Sequence, residues 1–283
     1  MPDTTSNHVA LVTGASAGIG QSVAIKLNAM GIKTYAAARR VDKMQSLEKQ
    51  GIKALPLDLT VPQSIRDCVA AIEAESGGVT ILINNAGYGL YGSIEEIPLD
   101  DARRQFEVNL FGLSALTQLV LPGMRSRRKG KIINISSIGG VAASPYGGWY
   151  HATKFALEGY SASLRQELSP FGVDVVIIRP GAIDTEWRGI AGESMVKNSS
   201  KGPYAKAVNA MYSKYMSPDF EKMLAKPAVI ADVVAKAIMA DRPKSVYTAP
   251  RLARNLVLIT KLLGTDRIRD AFTRRFIGLP SQM

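Results

Sequence analysis

Val9-Ala10-Leu11-Val12-Thr13-Gly14-Ala15-Ser16-Ala17-Gly18-Ile19-Gly20 reads as a buried strand, a glycine-rich turn and the opening of a helix. The first four residues are all apolar, as a strand covered on both faces requires. Ile19, Val23, Leu27 and Met30 then recur at helical spacing, and Gly31 stands where a closing glycine belongs. A turn of this kind aims backbone amides and the positive end of a helix dipole at one point, and its glycines allow a phosphate to approach closely. Gly14, Ser16, Gly18, Ile19 and Gly20 are therefore candidate nucleotide contacts.

The alternation continues outward from that junction. Strand-like runs at Thr34 to Ala38, Lys53 to Leu57, Thr80 to Ile83, Lys131 to Ile135, Val173 to Ile178 and Ser245 to Tyr247 are separated by stretches long enough for helices. Thr60 is expected to cap a helix that accepts Pro62 in its first turn and sets Ile65, Val69 and Ile72 on one side. Further helices are expected over Asp100 to Leu121, Trp149 to Leu168 and Ala228 to Met239. The pattern predicts an α/β fold, a doubly wound parallel sheet with helices on both faces. Residues 1–283 are read as a single domain. Within it, 185–226 is polar, spotted with Gly and Ser and rich in Met and Tyr, and is expected to be a substrate lid. Met195, Met211, Met216 and Met223 in that stretch are open to two readings, an adaptable pocket lining or ordinary helix packing.

Composition narrows the classes. With 46% hydrophobic and 21% charged residues, the chain is neither disordered nor fibrous. The lone Cys68 has no partner for an internal disulfide, which suits a reducing compartment. No apolar run reaches the ~18 residues of a membrane span, and Met1 to His8 lacks the basic start of a signal peptide, so a cytoplasmic location is expected. The net charge of +11 gathers at Arg125-Ser126-Arg127-Arg128-Lys129 and in the tail at Arg251, Arg254, Lys261, Arg267, Arg269, Arg274 and Arg275. Neither an aromatic-interleaved stripe nor metal-binding spacing accompanies it, so a solvated basic face is preferred to nucleic-acid binding and no metal is expected. The C-terminal extension, 248–283, sets Leu252, Leu256, Ile259 and Leu263 on one stripe among those basic residues. It suits either docking on its own domain, which is preferred, or peripheral contact with an anionic membrane.

Two places carry chemistry. The second strand ends Ala36-Ala37-Ala38-Arg39-Arg40, nineteen residues past Gly20 at the first arginine, with no carboxylate until Asp42. An acid here would bind a ribose 2′-hydroxyl, whereas arginine accommodates a 2′-phosphate, which predicts NADP(H) with Arg39 on the phosphate and Arg40 stacked on adenine. Farther on, Tyr150 and Lys154 lie four apart and share a helix face, with Ser137 thirteen residues before the tyrosine. A free phenol titrates near ~10, and a neighbouring ammonium is expected to lower it toward the working pH. His151 points elsewhere on the helix and is given a packing or surface role.

From about Val9 to Tyr247 the chain closely resembles the short-chain dehydrogenase/reductase family. Thr13 to Gly20 is similar to its Thr-Gly-x-x-x-Gly-x-Gly loop, Asn84-Asn85-Ala86-Gly87 to its turn after the fourth strand, and Tyr150 and Lys154 to its Tyr-x-x-x-Lys. The resemblance implies a Rossmann-like fold and a catalytic tetrad of Asn109, Ser137, Tyr150 and Lys154, with Ser137 chosen over Ser136 by spacing. It also implies cofactor contacts at Asp58, Leu59, Asn85, Ala86, Gly87, Tyr150, Lys154, Pro180, Gly181, Ile183 and Thr185. Tyr150 would exchange a proton with the substrate oxygen, Ser137 polarise it, Lys154 bind the nicotinamide ribose, and Asn109 help to hold a linking water. The implied reaction interconverts a ketone or aldehyde and an alcohol on a small, lipophilic molecule, steroid-, retinoid-, acyl- or xenobiotic-like, in a homo-oligomer that uses the helix from Asp100 onward. A regulatory protein that binds NADP(H) without turnover is the alternative, and it would be expected to lose a residue of the tetrad.

Overall fold

The computed structural model describes residues 8–263, 265–277 and 279; the reading of Met1 to Asn7 lies outside them. Seven strands form one parallel sheet: β1 (Val9–Thr13), β2 (Lys33–Ala38), β3 (Lys53–Pro56), β4 (Ile81–Asn84), β5 (Gly130–Ile135), β6 (Val173–Pro180) and β7 (Val246–Ala249). Their order, β3-β2-β1-β4-β5-β6-β7, reverses direction between β1 and β4. That reversal opens a crevice at the carboxyl ends of the strands, where open sheets of this kind bind ligands.

The connecting helices are α1 (Gly18–Ala29), α2 (Gln45–Glu48), α3 (Pro62–Ser76), α4 (Leu99–Phe106), α5 (Gly112–Ser126), α6 (Gly148–Leu168), α7 (Trp187–Ser199), α8 (Ala205–Tyr215), α9 (Pro218–Glu221), α10 (Ala228–Met239), α11 (Arg251–Leu262) and α12 (Asp266–Phe276). Neighbouring strand residues point to opposite faces, so Ala10 and Val12 pack with Val23 and Leu27 of α1 and Val234 of α10. Leu11 and Leu82 turn the other way, onto Ile65, Val69 and Ile72 of α3 and Leu116 of α5. Cys68 of α3 is buried on that side, and burial pushes its thiol up to about 12. Through the sheet runs a buried polar chain: Asn84 Nδ2 donates to Asn134 Oδ1 (2.9 Å) and to Thr117 Oγ1 (3.1 Å), and Asn134 Nδ2 to Ser161 Oγ (2.8 Å). It fixes β4, β5, α5 and α6 in one register, because any slip would strand these groups without partners.

Four local expectations are corrected. Thr60 is not the cap of α3: its hydroxyl and amide both bond Asp58 Oδ1, Ser64 Oγ accepts from the Asp58 amide, and the helix starts after Val61. The helix expected over Asp100 to Leu121 is interrupted by a π-turn at Glu107–Phe111 and passes through Pro122 to Ser126, with Gln118, whose carbonyl loses a partner to that proline, on the exposed side. Residues 185–226 are largely helical, where their polar, Gly- and Ser-spotted sequence suggested a lid or a binding loop. Their small polar residues grip a distant backbone: Ser194 and Asn198 bond the main chain of Tyr91, and Ser199 Oγ accepts from the amide of Ser93. In the tail, Ala253 and Val257 face inward while Leu252 and Ile259 of the expected stripe are exposed.

The basic cluster after α5 has a structural use. Arg127 donates to the carbonyls of Gly77 and Val79, and Arg128 to that of Pro170, tying loops at the amino ends of the strands. Among the described residues no helix is long and apolar enough to cross a membrane.

Candidate active site

The glycine-rich turn is stapled to the turn that follows β4. Thr13 Oγ1 accepts from the amides of Asn85 (3.0 Å) and Ala86 (3.0 Å), and Asn85 Nδ2 donates to the Thr13 carbonyl (2.9 Å). Gly14 has φ +66°, and a Cβ there would stand 2.8 Å from the Ala86 Cα. A Cβ on Gly20 would meet the Gly14 carbonyl oxygen at 2.5 Å. These glycines let two turns close on each other and leave their amides facing the crevice.

At the other end of the crevice stand the hydroxyls. Ser137 caps a short turn after β5, its Oγ accepting from the Gly139 amide (3.0 Å), and it lines the same cavity as the Tyr150 phenol. Ser136 is turned away, donating to Glu158 Oε1 (2.7 Å). Glu158 forms a two-pronged, largely buried pair with Arg179 at 2.8 Å through each nitrogen, locking α6 to the end of β6. Lys154, one turn before Glu158, donates to the Ile135 carbonyl (2.9 Å) and stands 5.9 Å from the Tyr150 ring centre.

Burial governs how both groups titrate. It pushes the Tyr150 phenol up to about 12, with the Ser137 hydroxyl pulling the other way, and it brings the Lys154 ammonium down to about 8 against the pull of Glu158. The expected depression of the phenol by the lysine is therefore corrected: the tyrosine lies beneath α7, its ring 5.3 Å from Trp187 and 5.8 Å from Tyr91, and desolvation of the phenolate sets the direction.

His151 is a clasp. The Ser144 amide can only donate, so Nε2 accepts (3.1 Å), and Nδ1 must carry the proton it gives to the Gly139 carbonyl (3.0 Å). The neutral ring thus binds the turn after Ser137 to α6, the packing role expected of it.

Asn109 sits in the π-turn, the irregularity that turns it inward. Its Oδ1 accepts from the Tyr88 amide (3.1 Å), and its Nδ2 donates to the Tyr88 carbonyl (3.0 Å) and to Thr153 Oγ1 (3.1 Å). With its side chain fully engaged, it positions the Gly87–Tyr88 turn and α6.

A cavity of about 420 Å³ joins the two ends. Its far corner holds Ser16, Arg39 and Arg40, its inner end Ser137, Tyr150 and Lys154, and α7 lends Trp187 and Ile190 to one wall. A phosphate-lined nucleotide fits this shape: turn amides, two guanidinium groups at one corner and an apolar floor.

A family model described as short chain dehydrogenase matches residues 8–195. The chain belongs to the short-chain dehydrogenase family. It is 36% identical over 270 residues to a probable short-chain type dehydrogenase/reductase, VdlC, of Helicobacter pylori, covering 95% of this chain and 98% of that protein. It is 33% identical over 254 residues to the NADPH-dependent 3-dehydrocapnine reductase of Ornithobacterium rhinotracheale, covering 86% and 88%. A crystal structure of a short-chain dehydrogenase from Streptomyces avermitilis matches with a TM-score of 0.80 at 31% identity, over 97% of each chain. The chain is thus an oxidoreductase of the class that acts on carbonyl and alcohol groups, built on the Rossmann-like sheet expected.

In this short-chain dehydrogenase, Asp58, Leu59, Ala86, Gly87, Pro180, Gly181, Ile183 and Thr185 line the cavity along with the residues above; of the predicted set, only Gly20 and Asn109 do not. Gly20 packs against Gly14 and Asn85 instead. Asp58 is pushed up by burial, but the Thr60 hydrogen bonds and the charges of Arg39 and Arg104 leave its carboxyl below the usual range. None of the four methionines lines the cavity; Met195 and Met211 are buried in packing between α7 and α8, while Met223 is exposed. Sequence reasoning missed Tyr88, Val108, Glu186 and Trp187. Val108 adjoins Asn109, Tyr88 follows Gly87, and Glu186 and Trp187 follow Thr185, so a predicted neighbour was the signal for each.

Proposed function

We propose that this short-chain dehydrogenase is an NADP(H)-dependent oxidoreductase that interconverts a lipophilic ketone or aldehyde and its alcohol. The observation that carries the reading is one cavity with Ser137, Tyr150 and Lys154 at its inner end and Ser16, Arg39 and Arg40 at its outer corner. When bound, the cofactor supplies or accepts the hydride at the carbonyl carbon. Arg39, which has no hydrogen-bond partner among the described residues, and Ser16 hold the 2′-phosphate, with Arg40, whose Nη2 reaches Ser16, a second guanidinium beside it; Gly14, Gly18 and Ile19 hold the pyrophosphate, and Pro180, Gly181 and Thr185 the nicotinamide end.

The chain's own residues then manage the proton. The buried phenol of Tyr150 stays protonated at neutral pH and donates to the oxygen that becomes a hydroxyl; in the reverse direction it accepts that proton. Ser137 polarises the same oxygen. Lys154 binds ribose hydroxyls and, as a buried cation, stabilises the phenolate left behind. Asn109 positions the wall opposite. The rings of Tyr91 and Trp187 beside Tyr150, with Ile190, support an apolar substrate.

The same proposal includes one catalytic unit in the cytoplasm, with 185–226 as the lid and 248–283 as an extension. Exposed Phe111, Leu119 and Phe155, on the π-turn, α5 and α6, support a homo-oligomer. Leu252, Leu258 and Ile259 beside Arg251 and Arg254 support peripheral membrane contact. A panel of hydrophobic ketones with NADPH or NADH tests the whole. NADPH oxidation by at least one ketone is the expected result, with NADH slower. Tight NADPH binding without turnover on any carbonyl would favour the regulatory alternative instead.

A further inference from the structure

The outer corner of the cavity already holds an anion, and it comes from the protein. Glu186 Oε2 lies 3.0 Å from Arg40 Nη2, the nitrogen that also reaches Ser16 Oγ at 3.3 Å, and its other oxygen lies 3.7 Å from Lys43 Nζ. Arg40 is the nearest of these charges and holds the carboxyl below its usual range. Glu186 is neither on β2 nor in the glycine-rich turn; it precedes the first residue of α7. Thr185, on its one side, touches the place where a Cβ on Gly18 would be, at 3.0 Å. Trp187, on its other side, packs its ring against Tyr150 and, edge-on at 5.7 Å, against Tyr91. Three successive residues thus run from the phosphate turn to the tyrosine.

We infer that Glu186 occupies the seat of the cofactor's 2′-phosphate and must yield it, so that a 2′-phosphorylated nucleotide releases the start of α7 while its unphosphorylated counterpart does not. The inference rests on the NADP(H) reading and adds a specificity-determining residue to it. Both partners of the pair are about half exposed, at 45% and 49%, so the tie is weak and readily displaced. A phosphate monoester carries close to two charges and three acceptor oxygens against the carboxylate's one charge and two, and it competes well for a guanidinium. Glu186 keeps Arg40 from a nucleotide without that group at little cost, yet it repels the phosphate until it moves aside. Cofactor identity at one end of the cavity is thereby tied to the freedom of Trp187 over Tyr150 at the other.

The probes are 2′,5′-ADP and 5′-AMP, which differ only in the 2′-phosphate. By titration calorimetry at low salt, Glu186→Gln should tighten 2′,5′-ADP by roughly two- to fivefold, the range an exposed ion pair allows, and leave 5′-AMP unchanged. In an Arg40→Met background the same substitution should give a smaller gain for 2′,5′-ADP, because only direct repulsion is then relieved, and again leave 5′-AMP unchanged. Trp149 and Trp187 are the chain's two tryptophans, so Trp149→Phe leaves Trp187 as sole reporter. Its emission should shift with 2′,5′-ADP and not with 5′-AMP. Unchanged or weaker 2′,5′-ADP binding in Glu186→Gln, or a silent Trp187, overturns the inference. If the wild type binds both nucleotides equally, the NADP(H) reading itself falls; if it prefers 2′,5′-ADP and the variant keeps the same ratio, only the inference falls.

Discussion

The two walls of the cavity are held together by different means. The wall built from the ends of β1 and β4 is backbone against backbone, bound by one side-chain amide: Gly14, Gly20, Ala86 and the Asn85 Nδ2 meet at distances that leave no space for a single methyl group. The wall built from α7 rests mainly on side chains, a layer of Tyr91, Tyr150, Trp187, Met195 and Met211 completed by the Arg40–Glu186 and Arg188–Glu221 ion pairs and by the hydroxyls and amide that hold the Tyr91 and Ser93 main chain. Backbone contacts of the first sort fix position to a fraction of an ångström. Aromatic and methionine contacts of the second sort can slide, re-form or admit a guest. One wall is suited to a cofactor that never varies and the other to a substrate that must enter and leave.

Several substitutions probe that division. Tyr150→Phe, at the seam of the two walls, should lower kcat by about 10²- to 10⁴-fold while NADPH affinity stays within about twofold, measured by steady-state rates and calorimetry. A parallel loss of cofactor binding would show that the walls are not separable. Gly20→Ala should destabilise by about 1–3 kcal/mol in urea unfolding and weaken NADPH, because its new methyl meets the Gly14 carbonyl. The pH profile of kcat/KM for NADPH should fall above about 8, approaching tenfold per unit. Lys154 is charged below about 8 and neutral above it, and only the cation serves the ribose and the phenolate. A flat profile from pH 7 to 10 would remove that role. The smallest effect is expected on the other wall, at Gly189 in α7, where a Cβ would meet nothing within 4 Å. Gly189→Ala should raise stability by about 0.5–1 kcal/mol and leave NADPH binding alone.

The same division explains what could be read from sequence. The glycine-rich turn and the Tyr150–Lys154 step show in local spacing and the Asn85 turn in its resemblance to a family motif, although the two turns are fastened to each other across about seventy residues. Ser194, Asn198 and Ser199 looked like loop residues because their partners, Tyr91 and Ser93, lie about a hundred positions away. The π-turn that turns Asn109 inward needs one extra residue per turn, which a regular helical pattern hides. Thr60 failed as a cap because the Asp58 carboxylate two residues back engages both its hydroxyl and its amide. The titration of Tyr150 was misjudged for a related reason: its direction is set by how deeply α7 buries it, and no residue near Tyr150 in the chain encodes that depth.

Cys68 brings a practical consequence. The chain's single thiol is buried under α3 and holds its proton to about pH 12, so it is blind to maleimides and to mild oxidants under ordinary conditions. A cysteine introduced on the outer face of α7 would then be the only group such reagents find. The protein arrives ready for single-site labelling of its movable wall, with no need to silence a native thiol first.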